Sequence, residues 1–177
     1  GTSTHLKSVT YYDNRLRPTM VAKENYVGGV DRVLNNYRNV VSSLIASTTT
    51  THTATAGTTT VLDEFTYDHR DRPTKVEHRV NTKPKVTLSE FTYNRVGQMI
   101  EKDLHGGTAQ SVDYAYNERG WLKTINGGMS GDGDTDDRFF LEIKYDDAPT
   151  PQFGGNIGQM LWKTIGRSLN ENQQTYD

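Results

Sequence analysis

The chain has 177 residues, no cysteine, 20 Lys and Arg against 22 Asp and Glu, and a hydrophobic fraction of 33%. The net charge of −2 argues against nucleic-acid binding, and the lack of cysteine excludes disulfides, thiol catalysis and cysteine-type zinc sites without deciding the compartment. The low hydrophobic content, with ten tyrosines and 24 threonines, excludes a thick core and favours thin, half-buried β-sheets. No apolar stretch approaches the roughly 20 residues of a membrane-spanning helix.

The first predicted element is a hairpin whose turn lies in residues 12–19, with the sequence YDNRLRPT. The side chain of Asp13 can accept a hydrogen bond from the backbone two residues ahead, which opens a tight turn. Leu16 occupies the position where a hairpin turn of this kind favours glycine or aspartate. A weaker copy of the same pattern starts at Tyr37.

A threonine-rich segment follows at residues 47–60, where nine of fourteen residues are threonine. The absence of any hydrophobic side chain larger than alanine predicts a solvated loop or a β-prone spacer between strands. The hydroxyl groups leave O-glycosylation as an alternative, whereas no Asn-x-Ser/Thr acceptor occurs in the sequence.

The clearest repeats occupy residues 65–73, 91–99 and 114–122. Each follows the pattern aromatic-x-Tyr-(Asp/Asn)-x-x-(Gly/Asp), where x is any residue. Period-two alternation on both sides predicts strands. The residues predicted to open the turns or to provide the positive φ that closes them are Asp68, Asn94, Gly97, Asn117 and Gly120.

Residues 127–137 form a Gly/Asp-rich segment that interrupts this pattern and predicts a loop. Three of its carboxylates have the 1, 3, 5 spacing of a calcium loop: Asp132, Asp134 and Asp136. The pattern lacks the glycine expected at position 6 and the glutamate expected at position 12, so a solvated turn is the main interpretation and calcium the alternative. No other cofactor is expected.

Seven tyrosines separated by 23 to 31 residues head the strong and weak copies, namely Tyr12, Tyr37, Tyr67, Tyr93, Tyr116, Tyr145 and Tyr176. One period accommodates one hairpin with its connection. A single hairpin is marginally stable, so we expect residues 1–177 to form one all-β run of consecutive antiparallel hairpins that stack edge to edge, with the tyrosine rings stacked along the sheet. A closed sandwich of irregular hairpins is the alternative fold.

These repeats resemble the YD-repeat, or RHS-repeat, family over nearly the whole chain. The most specific blocks are residues 116–126 and 155–163, which are similar to versions from large secreted or cell-surface proteins of Bacteroidota. In that family the repeats build a spiralling β-shell that can enclose a C-terminal toxin, and related shells occur in insecticidal toxin complexes and teneurins. The resemblance therefore implies a scaffold that is secreted or on the cell surface.

The sequence also departs from the family. The motifs of the shell-closing core and its autoproteolytic aspartate have no counterpart here, so no catalytic residue is carried over. Because the sequence stops at Tyr176-Asp177, at the start of a repeat, we expect an incomplete C-terminal edge and a fragment of a longer polypeptide.

Three functional hypotheses remain at this point. The first is a structural segment of a toxin-enclosing or toxin-delivering shell, whose partners are the rest of its own polypeptide, other subunits, or the enclosed toxin. The second is a surface adhesin in which Trp121 and Trp162 stack on glycans or proteins, although both tryptophans can equally fill a buried sheet face. The third is a cargo segment engaged by a secretion machinery. No enzyme activity is expected, because the five histidines show no metal-ligand spacing and no nucleophile motif occurs.

Overall fold

The computed structural model describes residues 5–165 and the backbone of residues 171–176. The chain divides into two compact units, residues 1–88 and residues 89–177, which we call unit 1 and unit 2. The fold is all-β, and every strand pairing described within a unit joins consecutive strands in antiparallel fashion. The prediction of consecutive antiparallel hairpins is confirmed.

Unit 1 is an open antiparallel sheet of strands that follow one another in chain order. The strands are β1 (Ser8–Tyr12), β2 (Pro18–Glu24), β3 (Val30–Tyr37), β4 (Ile45–Ala54), β5 (Gly57–Tyr67) and β6 (Pro73–Val80). Not one side chain in residues 5–88 is fully buried, because both faces of this sheet keep partial contact with solvent.

Unit 2 continues the same connectivity and contains the fully buried side chains of the described structure. Its strands are β7 (Val86–Tyr93, which begins before the unit boundary), β8 (Met99–Leu104), β9 (Gln110–Tyr116), β10 (Leu122–Ile125), β11 (Phe139–Lys144), β12 (Gln159–Ile165) and β13 (Glu171–Tyr176). A 3-10 turn at Gly128–Ser130 lies between β10 and β11. The buried apolar side chains are Phe140, Ile143, Tyr145 and Ala148, with 4 to 8% of their surface exposed.

The threonine-rich segment at residues 47–60 is a β-hairpin, so of the two predictions the solvated loop is wrong, whereas the strands agree with a β-prone segment. Most of the segment lies in β4 and β5, which meet at a two-residue turn between Ala54 and Gly57. Threonine is β-branched and favours extended backbone, and its hydroxyl tolerates a face that is only half covered. Low hydrophobicity therefore indicated a sheet with exposed faces and not the absence of strands.

Candidate functional site

The turns that begin at the repeat tyrosines share one hydrogen-bonded geometry, which is clearest after Tyr67. The backbone N–H of Asp68 donates to the carbonyl of Arg72 at 2.9 Å, and the N–H of Asp71 donates to the carbonyl of Asp68 at 3.2 Å. The Oδ1 atom of Asp68 accepts from the N–H groups of Arg70 and Arg72 at 2.8 and 3.0 Å. One side-chain oxygen thus satisfies two backbone donors that the turn would otherwise leave exposed.

The same two side-chain bonds recur in three other turns. The residues equivalent to Asp68 are Asp13, Asn94 and Asn117, and each accepts from the amides two and four residues ahead at 2.8 to 3.1 Å. The fourth turn residue has a positive φ in every copy, with 59° at Leu16, 62° at Asp71, 99° at Gly97 and 82° at Gly120. A register shift next to each of these turns marks a β-bulge.

Two of the turns are reinforced by an ion pair between their first and last residues. Asp13 meets the Nε atom of Arg17 at 2.7 Å, and Asp68 meets that of Arg72 at 2.7 Å. The backbone N–H of Arg17 is the main cause that lowers the pKa of Asp13. Burial raises the pKa of Asp68, but the N–H and guanidinium of Arg72 outweigh burial and lower it to about 2. Both carboxylates therefore stay charged to low pH and hold the turns closed.

A further copy of this turn lies between β2 and β3, where no tyrosine precedes it. Asn25 accepts from the N–H groups of Val27 and Gly29 at 3.2 and 2.9 Å, and Gly28 has a φ of 77°. The repeat pattern did not predict this turn because the pattern begins with tyrosine, although Asn25 and Gly28 have the spacing of the repeat. The turn itself requires only the asparagine or aspartate and the positive φ, so the tyrosine serves another purpose.

The repeat tyrosines join neighbouring hairpins through their hydroxyl groups. The tyrosine hydroxyl at the end of one strand donates to the backbone carbonyl of the first residue of the preceding, adjacent strand. The bonds run from Tyr37 to Pro18 at 3.1 Å, from Tyr67 to Ile45 at 2.8 Å, from Tyr116 to Met99 at 2.8 Å, and from Tyr145 to Leu122 at 2.9 Å. We call this set the hydroxyl ladder. Each bond ties one hairpin to the hairpin before it.

The remaining repeat tyrosines occupy equivalent strand ends. Tyr93 ends β7 and is half-buried, and Tyr12 ends β1 with 59% of its surface exposed. Tyr176 ends β13, but its side chain lies outside the described residues.

Arginine or tryptophan lies against three of the repeat tyrosine rings, those of Tyr37, Tyr67 and Tyr145, and no contact between two repeat tyrosine rings is found among residues 5–165. The guanidinium carbon of Arg17 lies 4.3 Å from the ring centre of Tyr37, and that of Arg38 lies 6.0 Å from Tyr67. Repeat tyrosines end alternate strands, and two strand spacings of about 4.8 Å place them too far apart for ring contact. The predicted tyrosine stack is therefore replaced by hydrogen bonds and cation–π contacts.

Trp121 is a packing residue that closes its turn. Its ring lies 5.0 Å from that of Tyr145, and the guanidinium of Arg119 lies 5.1 Å from it. A Cβ atom on Gly155 would come within 2.8 Å of the same ring, so the glycine allows the loop to approach it closely. These contacts cover part of the ring that the adhesin hypothesis assigns to a ligand.

Trp162 does not occupy the equivalent place. It lies within β12, half-buried, and pairs with Leu141 of β11. The two tryptophans therefore lie at different positions, one beside a turn and one within a strand, and their binding role stays a prediction.

Two of the three aspartates of the calcium alternative, Asp132 and Asp134, accept hydrogen bonds from backbone N–H groups of their own loop. The Oδ1 atom of Asp132 accepts from the N–H of Asp134 at 3.0 Å, and that of Asp134 accepts from the N–H of Asp136 at 3.0 Å. Within the part of the chain that the structure describes, no three His, Cys, Asp or Glu side chains gather as metal ligands. The calcium alternative for Asp132, Asp134 and Asp136 therefore stays a prediction, without a gathered set of ligands among the described residues.

Two polar side chains that the sequence did not single out are almost completely buried next to this loop. Asn126 accepts from the N–H of Asp113 at 2.8 Å and donates to the carbonyl of Phe139 at 2.9 Å, so it links β9 to β11. Asp137 is 1% exposed, and its carboxylate has no hydrogen-bond partner among the described residues. Burial, followed by the charge of Asp132, raises the pKa of Asp137 to about 6.

Two cross-strand histidine–aspartate pairs were also missed. The Nδ1 atom of His52 lies 2.5 Å from Asp31, and that of His78 lies 2.6 Å from Asp63. Each pair joins directly opposite residues of neighbouring strands, which only the register reveals. Both pairs lie on partly exposed strand surface, where such pairs contribute to strand pairing.

Comparisons with known proteins do not identify a family for this chain. A scan against protein-family models found no match, and a search of curated proteins found none. Across the described residues, none of the helical structure has the length and apolar character needed to cross a membrane.

Proposed function

We propose that this chain is a structural segment of a β-sheet wall, with no catalytic activity of its own. The observation that carries the proposal is the hydroxyl ladder, in which the tyrosine that ends one hairpin binds the backbone of the hairpin before it. Such a bond uses no side chain of the neighbour, so it does not depend on which side chains the neighbouring repeat carries. A sheet joined in this way grows by adding repeats, as a wall requires.

The partly exposed faces of unit 1 favour a sheet that is covered by other parts of an assembled protein. A sheet of six strands in which no described side chain is fully buried has little apolar stabilisation of its own. The repeats' resemblance to YD-repeat proteins fits this picture, and we infer a secreted or cell-surface parent that encloses or delivers a toxin. Its partners are then the rest of the polypeptide, other subunits, the enclosed toxin or the secretion machinery, and no cofactor is required.

The packing of Trp121 favours the wall over the adhesin. A tryptophan that stacks on glycans presents an open ring face, whereas Trp121 packs against Tyr145, Arg119 and the Gly155 loop. We therefore assign this side chain to holding the loop against the sheet.

The proposal is tested in the organism that produces this chain. An antibody against residues 89–165 should detect a long polypeptide in the medium or at the cell surface. A dissimilar domain in that polypeptide should resist protease until the protein is denatured. A short polypeptide confined to the cytoplasm, or a partner domain digested at the same rate in native and denatured samples, would contradict the wall.

Matched variants link protection to the ladder. The double variant Tyr67→Phe/Tyr116→Phe removes two ladder hydroxyls and should expose the protected domain to protease. The control Tyr11→Phe/Tyr26→Phe removes two hydroxyls from exposed side chains and should leave protection unchanged.

A further inference from the structure

A pocket in unit 2 is lined by carboxylates from two strands and one loop. Its volume is about 370 Å³, and its acidic residues are Glu101, Asp113 and Asp132, so we call it the acidic pocket. Glu101 of β8 lies directly opposite Asp113 of β9, and Asp132 comes from the loop after β10. Like charges in directly opposite positions weaken strand pairing, so this arrangement has a cost for the stability of the sheet.

The rest of the lining is small and uncharged. Ala115 of β9 and Thr124 of β10 lie directly opposite each other in the sheet and both line the pocket. Gly127 also lines it and allows the loop to close, because a Cβ atom at this position would lie 2.5 Å from the backbone nitrogen of Asp132. The pocket thus combines uncharged side chains with a carboxylate that a tightly folded loop provides.

No Lys, Arg or His forms an ion pair with the pocket carboxylates among residues 5–165. Burial has the largest effect in raising the pKa of Asp113. The charges that raise this pKa further all belong to carboxylates, namely Asp132, Glu101, Asp134 and Asp103. The pocket therefore has a negative charge that the described part of the chain does not balance.

Asp137 is a second observation that points to a positive ligand here. Its side chain is 1% exposed, and neither carboxylate oxygen has a hydrogen-bond partner among the described residues. Of the neighbouring charges, that of Asp132 in the pocket raises the pKa of Asp137 most. Burying a carboxylate without a partner is costly, so a positive group bound beside Asp132 would offset the cost.

We propose that the acidic pocket binds a guanidinium group on an aliphatic stem, with the stem against Ala115 and Thr124. A guanidinium offers several N–H donors that reach separated carboxylates, whereas calcium or magnesium needs oxygens gathered at about 2.0 to 2.6 Å. Such a gathered set of three acidic or histidine ligands is absent from the described residues, which favours the organic cation. An arginine of another polypeptide or a free amine such as agmatine supplies this group. The inference concerns a ligand site and does not rest on the proposed wall.

Nuclear magnetic resonance titration of the isotope-labelled chain of 177 residues tests the pocket. The ligands are tripeptides, blocked at both ends, with arginine, lysine or citrulline between two glycines. The arginine peptide should shift the amide resonances of Asp113, Thr124 and Gly127. The lysine peptide should bind at least about threefold more weakly, because its compact charge reaches fewer carboxylates. Citrulline has nearly the same shape without the charge, and its peptide should not bind.

Agmatine, titrated in the same way, distinguishes the two sources of the guanidinium. Agmatine that binds at least about tenfold more tightly than the arginine peptide would identify a free amine as the ligand. Any smaller difference would favour an arginine within a polypeptide. Either result supports the site.

Asp113→Asn separates a ligand-binding role from a structural one. The variant should bind the arginine peptide at least about tenfold more weakly, because a charge-assisted hydrogen bond is lost. Its urea midpoint at neutral pH should rise, since burial and the neighbouring carboxylates disfavour the charged form of Asp113. Glu118→Gln removes a charge from an exposed turn residue and is the matched control, which should leave binding unchanged.

Three results would overturn the proposal. The first is an arginine peptide that shifts no resonance of the pocket, or a citrulline peptide that binds equally well. The second is binding that Asp113→Asn leaves unchanged. The third is calcium that binds the pocket more tightly than the arginine peptide does, which would make the pocket a metal site.

Discussion

At the scale of single residues, the tyrosine hydroxyl and the turn aspartate have separate tasks. The aspartate or asparagine closes its own turn, as Asn25 shows without any tyrosine before it. The tyrosine joins one hairpin to the next through a backbone carbonyl. Because the two tasks reside in different side chains, each can be removed without the other.

Tyr67→Phe should destabilise the protein by about 1 kcal/mol, because the carbonyl of Ile45 loses a 2.8 Å hydrogen bond in a half-buried place. Urea denaturation of the variant measures the loss. Tyr26→Phe, at a side chain that is 93% exposed, is the control and should change the stability by less than about 0.5 kcal/mol. Equal effects of the two variants would show that the hydroxyl ladder does not contribute to the stability of the fold.

Asp68→Asn should reduce the loss of stability in acid. The pKa of Asp68 is about 2 in the folded chain against an ordinary value of 3.8, so its ionised form stabilises the fold above pH 3.8. That contribution disappears as the pH falls through about 2. Asparagine keeps the bonds to the two amides, as Asn94 does, but has no ion pair with Arg72.

The urea midpoints of the unaltered chain and of Asp68→Asn, measured between pH 7 and pH 2, check this prediction. The difference between the unaltered chain and Asp68→Asn should be constant near neutral pH and should shrink below about pH 4. The reciprocal change Asn94→Asp places a carboxylate at an equivalent turn and should add acid sensitivity. A difference that is independent of pH would show that the Asp68 charge has no role in folding.

At the scale of elements, the turns carry local strain that the sequence does not always relieve. Leu16 has a φ of 59°, although branched side chains are disfavoured there and Gly97 and Gly120 occupy the equivalent positions. The hydrogen bonds of Asp13 and Arg17 hold this turn in shape despite that cost. The turn geometry is thus set by the opening aspartate or asparagine, and glycine reduces its cost.

Leu16→Gly should stabilise the protein by about 0.5 to 1 kcal/mol, because it relieves the positive φ and the leucine side chain is 82% exposed. Gly120→Ala should destabilise by about 1 kcal/mol, because φ is 82° there and the new Cβ would lie 3.2 Å from Gln98. Thermal unfolding of both variants measures the opposite signs. Two shifts in the same direction would contradict the strain argument.

The sequence predicted those elements whose structure depends on local chemistry. Turns opened by Asp68, Asn94 and Asn117 follow from side-chain hydrogen bonds over four residues, and alternation marks the strands beside them. The hydroxyl ladder and the histidine–aspartate pairs could not be predicted, because they depend on the register between strands. The threonine-rich hairpin was missed because low hydrophobicity outweighed β-branching in the interpretation.

At the scale of the whole molecule, buried side chains are unevenly distributed. Fully buried apolar residues lie in unit 2, at Phe140, Ile143, Tyr145 and Ala148, whereas unit 1 has none among residues 5–88. Apolar burial is the main source of folding free energy, so the two units should differ in the cost of local opening. The threonine-rich strands contribute hydrogen bonds but little burial.

Hydrogen exchange should therefore be slowest in β11 and β12 and faster in β1 to β6. Mass spectrometry of peptides from both units measures this at one pH and temperature. As a control, Ile143→Ala, at a side chain that is 7% exposed, should cost about 2 to 5 kcal/mol and speed exchange in β11 and β12. Slowest exchange in β4 and β5 would show that cross-strand hydrogen bonding outweighs burial here.

The ladder also makes the length of the connections unimportant. Seven residues, 38–44, separate Tyr37 from Ile45, yet Ile45 is the residue that Tyr67 binds, and a longer connection follows Tyr145 before β12 resumes. The Tyr67 hydroxyl binds the first residue of β4, at the point where the connection of residues 38–44 ends. We therefore expect the connection at residues 38–44, where Val40 and Val41 are 73 and 74% exposed, to accept foreign peptides such as epitopes or affinity tags without displacing the strands on either side.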